Sequence, residues 1–228
     1  MFSVIFEVFP VPERLDEYLG LAKRLRPILE SIDGFIDNER FESQQRPGWI
    51  LSHSTWRDEK SVVRWRTVAE HHAAQEQGRQ EILSDYHLRV GDVTTDTAGP
   101  VHGQRYDTTE IGTAKVVTLT EITPAPTGAF PRDVELPEAL GLSPGHEGVI
   151  DQDAFASIYT PGKLALLVSW TDTDASSRWT PKTSPELAEL RHRTVRVVRD
   201  YGKFDRREAP QYYPDAGGRE TIHAQPAR

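Results

Sequence analysis

Two tryptophans nine residues apart, Trp56 and Trp65, precede a pair of adjacent histidines, His71 and His72, in a stretch that reads as helix. Histidine is the natural proton acceptor near neutral pH, because its unperturbed pKa is about 6.5. An apolar pocket lowers that value and keeps the imidazole neutral and able to accept a proton. Walled by tryptophan, such a pocket could hold an aromatic molecule away from bulk water while a proton is removed. The competing reading is a bulky core with two imidazoles at a helix edge. His53, in the alternating stretch "WILSHST", either touches ligand or lies between sheets. Arg79, in "QGRQ", could orient an anionic substrate or pair with surplus carboxylates, and Tyr86 could donate a hydrogen bond at a pocket mouth.

Other chemistries are excluded or disfavoured. The absence of cysteine removes disulfides, thiolate metal sites, iron–sulfur clusters and cysteine nucleophiles. His53, His71, His72 and Glu7 are metal-ligand types, but adjacent residues on a helix diverge and their spacing matches no zinc pattern, so no metal is expected. No nucleophile elbow, GxGxxG or P-loop is visible. A formal charge of -8 argues against nucleic acid. No run approaches the ~18 apolar residues of a membrane span. The N-terminal "MFSVIFEVFP" lacks a basic leader and a cleavage site, so it reads as a strand and the location as cytoplasmic.

Sliding the 228-residue chain against itself by 114 positions shows what must position these residues. The shift aligns Glu7 with Glu121, Gly34 with Gly148, Phe41 with Phe155 and Pro47-Gly48 with Pro161-Gly162. It also aligns Trp56 with Trp170 and Arg64-Trp65 with Arg178-Trp179, all without a gap. The chain is therefore read as a duplicated domain.

In the first copy "SVIFEVF" is a strand, followed by a helix from Pro12 with Leu15, Tyr18, Ala22, Leu25 and Leu29 on one face. "FIDNERFES" and "WILSHSTW" form two strands, a second helix runs from "RDEKSVV" through the histidines, and "YHLRVGDVTTD" is the last strand. The order βαββαβ is ferredoxin-like, and the fold class α+β. One face of such a sheet needs a partner, which the other copy supplies. The expected domains are 1–97, carrying the active site, and a degenerate 114–210, with a linker at 98–113 and a tail at 211–228. The second copy is ten residues shorter before its last strand, and prolines interrupt the segment matching the first helix.

The combination "FEVFPVPERLDEYL", "LRPILESIDGFIDNERFES", "STWRDEKSVVRW" and "EHHAAQEQGR" resembles the antibiotic biosynthesis monooxygenase family of the dimeric α/β barrel fold. The resemblance implies that the two copies form an intramolecular barrel of that kind. It also implies oxygenation of an aromatic or polyketide-like molecule without a cofactor: a proton is removed, and the electron-rich anion passes an electron to dioxygen. Trp56 matches the family's pocket tryptophan, and Ser52 stands where its quinone-forming members carry a substrate-binding asparagine. Haem-degrading members of the fold also space two tryptophans nine apart, but their iron-binding histidine falls at Gln75 here. Haem, or another small ligand, is the alternative, and a non-catalytic module a third.

The expected pocket is lined by Trp56, Trp65, Phe41 and Ser52, with His53, Arg79 and Tyr86 as further contacts and His71 or His72 as base. Helical spacing from Val62 through Trp65 and Ala69 puts His72 inward, whereas the resemblance puts the histidine at His71. A kink near Thr67 would reconcile the two. The expected partners are a small molecule and dioxygen, with neither nucleic acid nor membrane, and the assembly is a monomeric pseudo-dimer or a homodimer.

Overall fold

The computed structural model describes residues 1–103, 106–125, 135–184 and 187–210. The expected tail, 211–228, lies outside the described residues. The first half opens with β1 (Phe2–Pro10), whose β-branched and aromatic residues suit a pleated strand. Pro12 starts a single 3₁₀ turn, where a missing N–H costs nothing, and α1 (Leu15–Ser31) follows. Gly34 then turns the chain with φ 90°, packed so closely that a Cβ there would sit 2.0 Å from Ser61 Oγ. β2 (Phe35–Ser43) and β3 (Ile50–Trp56) come next. Asp58 caps α2 (Glu59–Thr67) by accepting from the Ser61 amide at 2.8 Å.

The single second helix expected from the sequence is two. Val68, at φ -62° and ψ 132°, is extended, and α3 (Ala69–Gln77) starts afresh after it. Thr67 and Val68 are both β-branched, and Thr67 Oγ1 bonds the carbonyls of Val63 (3.0 Å) and Arg64 (3.1 Å), which loosens the last turn of α2. A π-turn at Gly78–Ile82 leads into β4 (Leu83–Asp96).

The second half repeats the order with β5 (Val116–Pro124), α4 (Leu136–Ala139), β6 (Val149–Ser157), β7 (Leu164–Trp170), α5 (Thr173–Ser177) and β8 (Leu187–Gly202). Its helices are short, as the prolines of "ELPEALGLSP" and the missing ten residues require.

All eight strands close into one antiparallel barrel in the order β1-β3-β2-β6-β7-β5-β8-β4. The halves meet through β2 with β6 and β4 with β8. Residues alternate across each strand, so one set fills the barrel and the other faces the helices. Inside lie Ile5, Phe41, Leu51, Leu119, Phe155 and Leu167. Among them sit two buried ion pairs, Glu7 with Arg89 and Glu121 with Arg193. On the helix side of the second half, Leu136, Leu140, Leu166, Trp170 and Trp179 pack into an apolar cluster. Among the described residues, no helix is long and apolar enough to cross a membrane.

Candidate functional site

On the helix side of the first half the sheet and helices leave a cavity of about 210 Å³. Its floor is the outward set of each strand: Val4 and Phe6 on β1, Asn38 and Arg40 on β2, Ser52 and Ser54 on β3, and Leu88 and Val90 on β4. Arg199 and Tyr201, on β8, complete the floor from the second half. The roof comes from Tyr18, Ala22, Leu25 and Leu29 of α1, Val62 and Trp65 of α2, and His71, Ala74 and Gln75 of α3. The stripe predicted on α1 therefore faces the cavity.

His71 is the imidazole in this wall, and the break at Val68 puts it there. The turn ends α2 and leaves the Trp65 carbonyl with the Val68 amide at 3.3 Å in place of a regular helical bond, so that it can also accept from His71 Nδ1 at 3.0 Å. A carbonyl only accepts, so the proton sits on Nδ1 and Nε2 keeps its lone pair. The ring stacks on the Trp65 indole, centroids 3.8 Å apart and planes at 13°. Burial drives the His71 pKa down to about 4, opposed by the Trp65 carbonyl and assisted by the neighbouring His72. His71 is thus a neutral acceptor throughout the physiological range. His72 is not among the residues lining the cavity; its amide donates to the Val68 carbonyl at 2.8 Å.

Of the residues expected to line the pocket, Trp65 and Ser52 line this cavity. Several other expected contacts do not. Trp56 is fully buried beside the cavity, with Phe35 edge-on at 5.5 Å and its indole N–H donating to Ser54 Oγ at 2.9 Å. Phe41 and His53 have the opposite strand parity and point into the barrel, where His53 Nε2 meets Ser3 Oγ at 2.8 Å. Burial holds His53 well below its usual pKa. Tyr86 lies behind Phe6, ring edge to face at 5.6 Å, and Arg79 sits on the π-turn outside the lining.

Sequence reasoning missed Asn38, Arg40, Gln75, Arg199 and Tyr201. Asn38 pairs with Ser54 across the β2–β3 ladder, and its Nδ2 donates to the His53 carbonyl at 2.8 Å, next to Ser52. An amide is therefore present beside Ser52 after all, supplied by the adjacent strand. The alternation in "FIDNERFES" was the available signal, since it places Asn38 and Arg40 on one face. For Arg199 and Tyr201 nothing local in the sequence points to the site. Gln75 lines the cavity with a buried carbonyl oxygen that has no hydrogen-bond partner. Among the described residues, no group of His, Asp and Glu could hold a metal ion.

The model of the antibiotic biosynthesis monooxygenase family matches residues 1–77, from β1 through α3. The chain is 46% identical over 228 residues to a protein of Pyricularia oryzae named jasmonate monooxygenase ABM, covering 95% of this chain and 100% of that one. Among solved structures, an aldoxime dehydratase superposes with a TM-score of 0.52 at 13% identity, over 86% of this chain and 81% of its own. An antibiotic biosynthesis monooxygenase covers 42% of this chain and 100% of its own, at 19% identity and a TM-score of 0.38. With 46% identity over 95% of its length to a named member, and the family's model matched from β1 through α3, this chain belongs to the antibiotic biosynthesis monooxygenase family.

Proposed function

We propose that the protein is a monooxygenase that oxidises a small apolar molecule at a C–H bond acidified by a neighbouring ketone or phenol, with His71 as proton acceptor. The observation that carries this reading is the imidazole itself: neutral, held in one tautomer by the Trp65 carbonyl, and lining a cavity whose walls are mostly apolar. The name of the Pyricularia relative makes jasmonate the first substrate to try, with a polyketide-like phenol beside it.

Nε2 of His71 takes the proton, and the resulting anion passes electrons to dioxygen. The Leu25, Leu29, Val62 and Trp65 walls exclude water from that anion. For a methylene the balance closes without an outside reductant: CH2 and O2 give C=O and H2O. Both electron pairs come from the substrate, and one oxygen atom leaves as water.

No step in this reading passes through haem. Gln75 stands where the haem-degrading relatives carry their ligand, and an amide is not among the usual haem-iron ligands. The two halves are read as tandem copies closing one barrel, the first keeping the site and the second completing its floor. Supporting this are the 114-residue offset and the two matching ion pairs, Glu7 with Arg89 and Glu121 with Arg193.

The test is to incubate the protein with substrate under ¹⁸O₂ without reductant and weigh the product. One ¹⁸O gained with two hydrogens lost is the expected result. Product that forms only when a reductant is added overturns the cofactor-free route, and a saturable Soret band on titration with haemin overturns the haem-free one.

A further inference from the structure

The cavity's arginines differ in what they face. Arg26 is held by Glu30 at 2.7 Å, and Arg199 by Glu59 at 3.2 Å. Arg40 has no carboxylate partner among the described residues. Its guanidinium lies over the ring of Tyr18, 5.6 Å to the centroid, and over that of Tyr159, at 5.8 Å; Nη1 donates to the Tyr159 hydroxyl. Those rings offer quadrupole and hydroxyl oxygen but no charge. Arg40 Nε is buried without a hydrogen-bond partner, and the buried Tyr18 hydroxyl has the Arg40 guanidinium beside it but no acceptor for its own proton among the described residues, although both residues line the cavity. A guanidinium stays charged at any physiological pH, and burying it without a counter-charge is costly. An orphaned buried donor adds to that cost. A carboxylate is the group that meets both needs at once, because it carries the missing charge and its oxygens accept from the guanidinium and from the phenol.

We propose that Arg40 and Tyr18 form a carboxylate-binding subsite, and hence that the substrate is an apolar monocarboxylic acid bound as its anion. This rests on the reading of the cavity as the substrate site. The acid group is fixed between β2 and the start of α1, and the apolar body extends between the floor residues Val4 and Val90 and the roof that carries His71. Two elements of the first half thus set orientation, and Tyr159, from the turn after β6, holds the guanidinium in place from the second.

The experiment is calorimetric titration of the intact protein with two matched pairs, jasmonate with methyl jasmonate and decanoate with methyl decanoate. Methylation removes the charge and leaves the body unchanged. The wild-type protein is expected to bind at least one acid about tenfold or more tighter than its ester, the scale of a charge-assisted hydrogen bond. Arg40→Met should abolish that preference while leaving ester affinity alone, and Tyr18→Phe should reduce it a few-fold. Arg40→Lys, which keeps the charge and loses the fork, should retain part of it and guards against a folding defect in the methionine variant. Equal binding of acid and ester by the wild-type protein, or no binding of either pair, overturns the subsite. So does an equal loss for acid and ester in an Arg40→Met protein with an unchanged melting curve. Acid-selective binding without turnover leaves the subsite standing and sinks the oxygenase reading instead.

Discussion

The imidazole of His71 lies flat on the indole of Trp65 and donates its Nδ1 proton to that same residue's carbonyl, so one residue fixes both the plane and the tautomer of the other. The contact spans a helix break, since Trp65 is in α2 and His71 in α3. A continuous helix would have spent the Trp65 carbonyl on an amide four residues on and pointed His71 elsewhere. The extended Val68 is therefore part of the site, although it has no chemistry of its own.

Removing the imidazole should stop turnover. We expect His71→Ala to lower kcat by about 10²–10⁴-fold, the usual contribution of a positioned general base. His72→Ala should leave kcat within a few-fold. Steady-state rates for the two variants with one substrate decide the matter, and equal losses would refute the assignment.

The depressed histidine pKa values give a pH signature in stability. His71 and His192 are brought down to about 4 by burial, and His53 well below its ordinary 6.5. The unfolded chain binds protons at these residues near 6.5 and the folded chain does not, so stability rises with pH across that window. Chemical denaturation should show stability falling as pH drops from about 6.5 towards 4, with on the order of 3 kcal/mol at stake for a shift the size of that at His71. By the same reasoning kcat/KM should show no His71 inflection above about pH 5. A rate that titrates near 6.5 would place the base elsewhere.

Much of this molecule is legible in the sequence. Trp, Gly and Pro positions repeat at one offset because both halves need the same turns and the same wall between strand and helix. The inward stripe of α1 is readable because helix amphipathicity follows burial. The strands were harder. In a closed barrel covered by helices both faces of a strand are buried, so hydrophobicity does not say which parity meets the cavity. Hydrophobicity alone thus groups Phe41 and His53 with Ser52, although a one-residue step reverses the face. The choice between His71 and His72 turned on a backbone break that a helical wheel assumes away. Arg199 and Tyr201 reach the site through the β4–β8 pairing, which connects residues over a hundred positions apart.

The two tryptophans should separate into support and wall. Trp56 is fully buried among Phe2, Leu29 and Val62, so Trp56→Ala should cost about 3–5 kcal/mol in denaturant titrations through the cavity it leaves. Trp65 is partly exposed and lines the cavity. Trp65→Leu should cost much less stability yet raise KM and disturb kcat, because it also removes the surface that holds His71. A Trp65 variant with wild-type kinetics would make that contact incidental.

The barrel interior offers a test of equivalence between the halves. Glu7 pairs with Arg89 and Arg46, and Glu121 with Arg193 and Lys163, each buried carboxylate facing two cations. Arg193 stands ten residues short of the 114-residue offset from Arg89, the same ten that the second half lacks, so the pairs correspond once the missing α3 segment is allowed for. Neutralising Glu7 takes the paired carboxylate from the buried Arg89, a loss of about 3–5 kcal/mol for a broken buried pair, whereas Arg193 keeps Asp37 at 3.7 Å when Glu121 is neutralised. Glu7→Gln and Glu121→Gln should therefore both lower the denaturation midpoint, Glu121→Gln by the smaller amount. If only one of them does so, the two halves do not carry equivalent cores, and the matching offset would reflect shared turns alone.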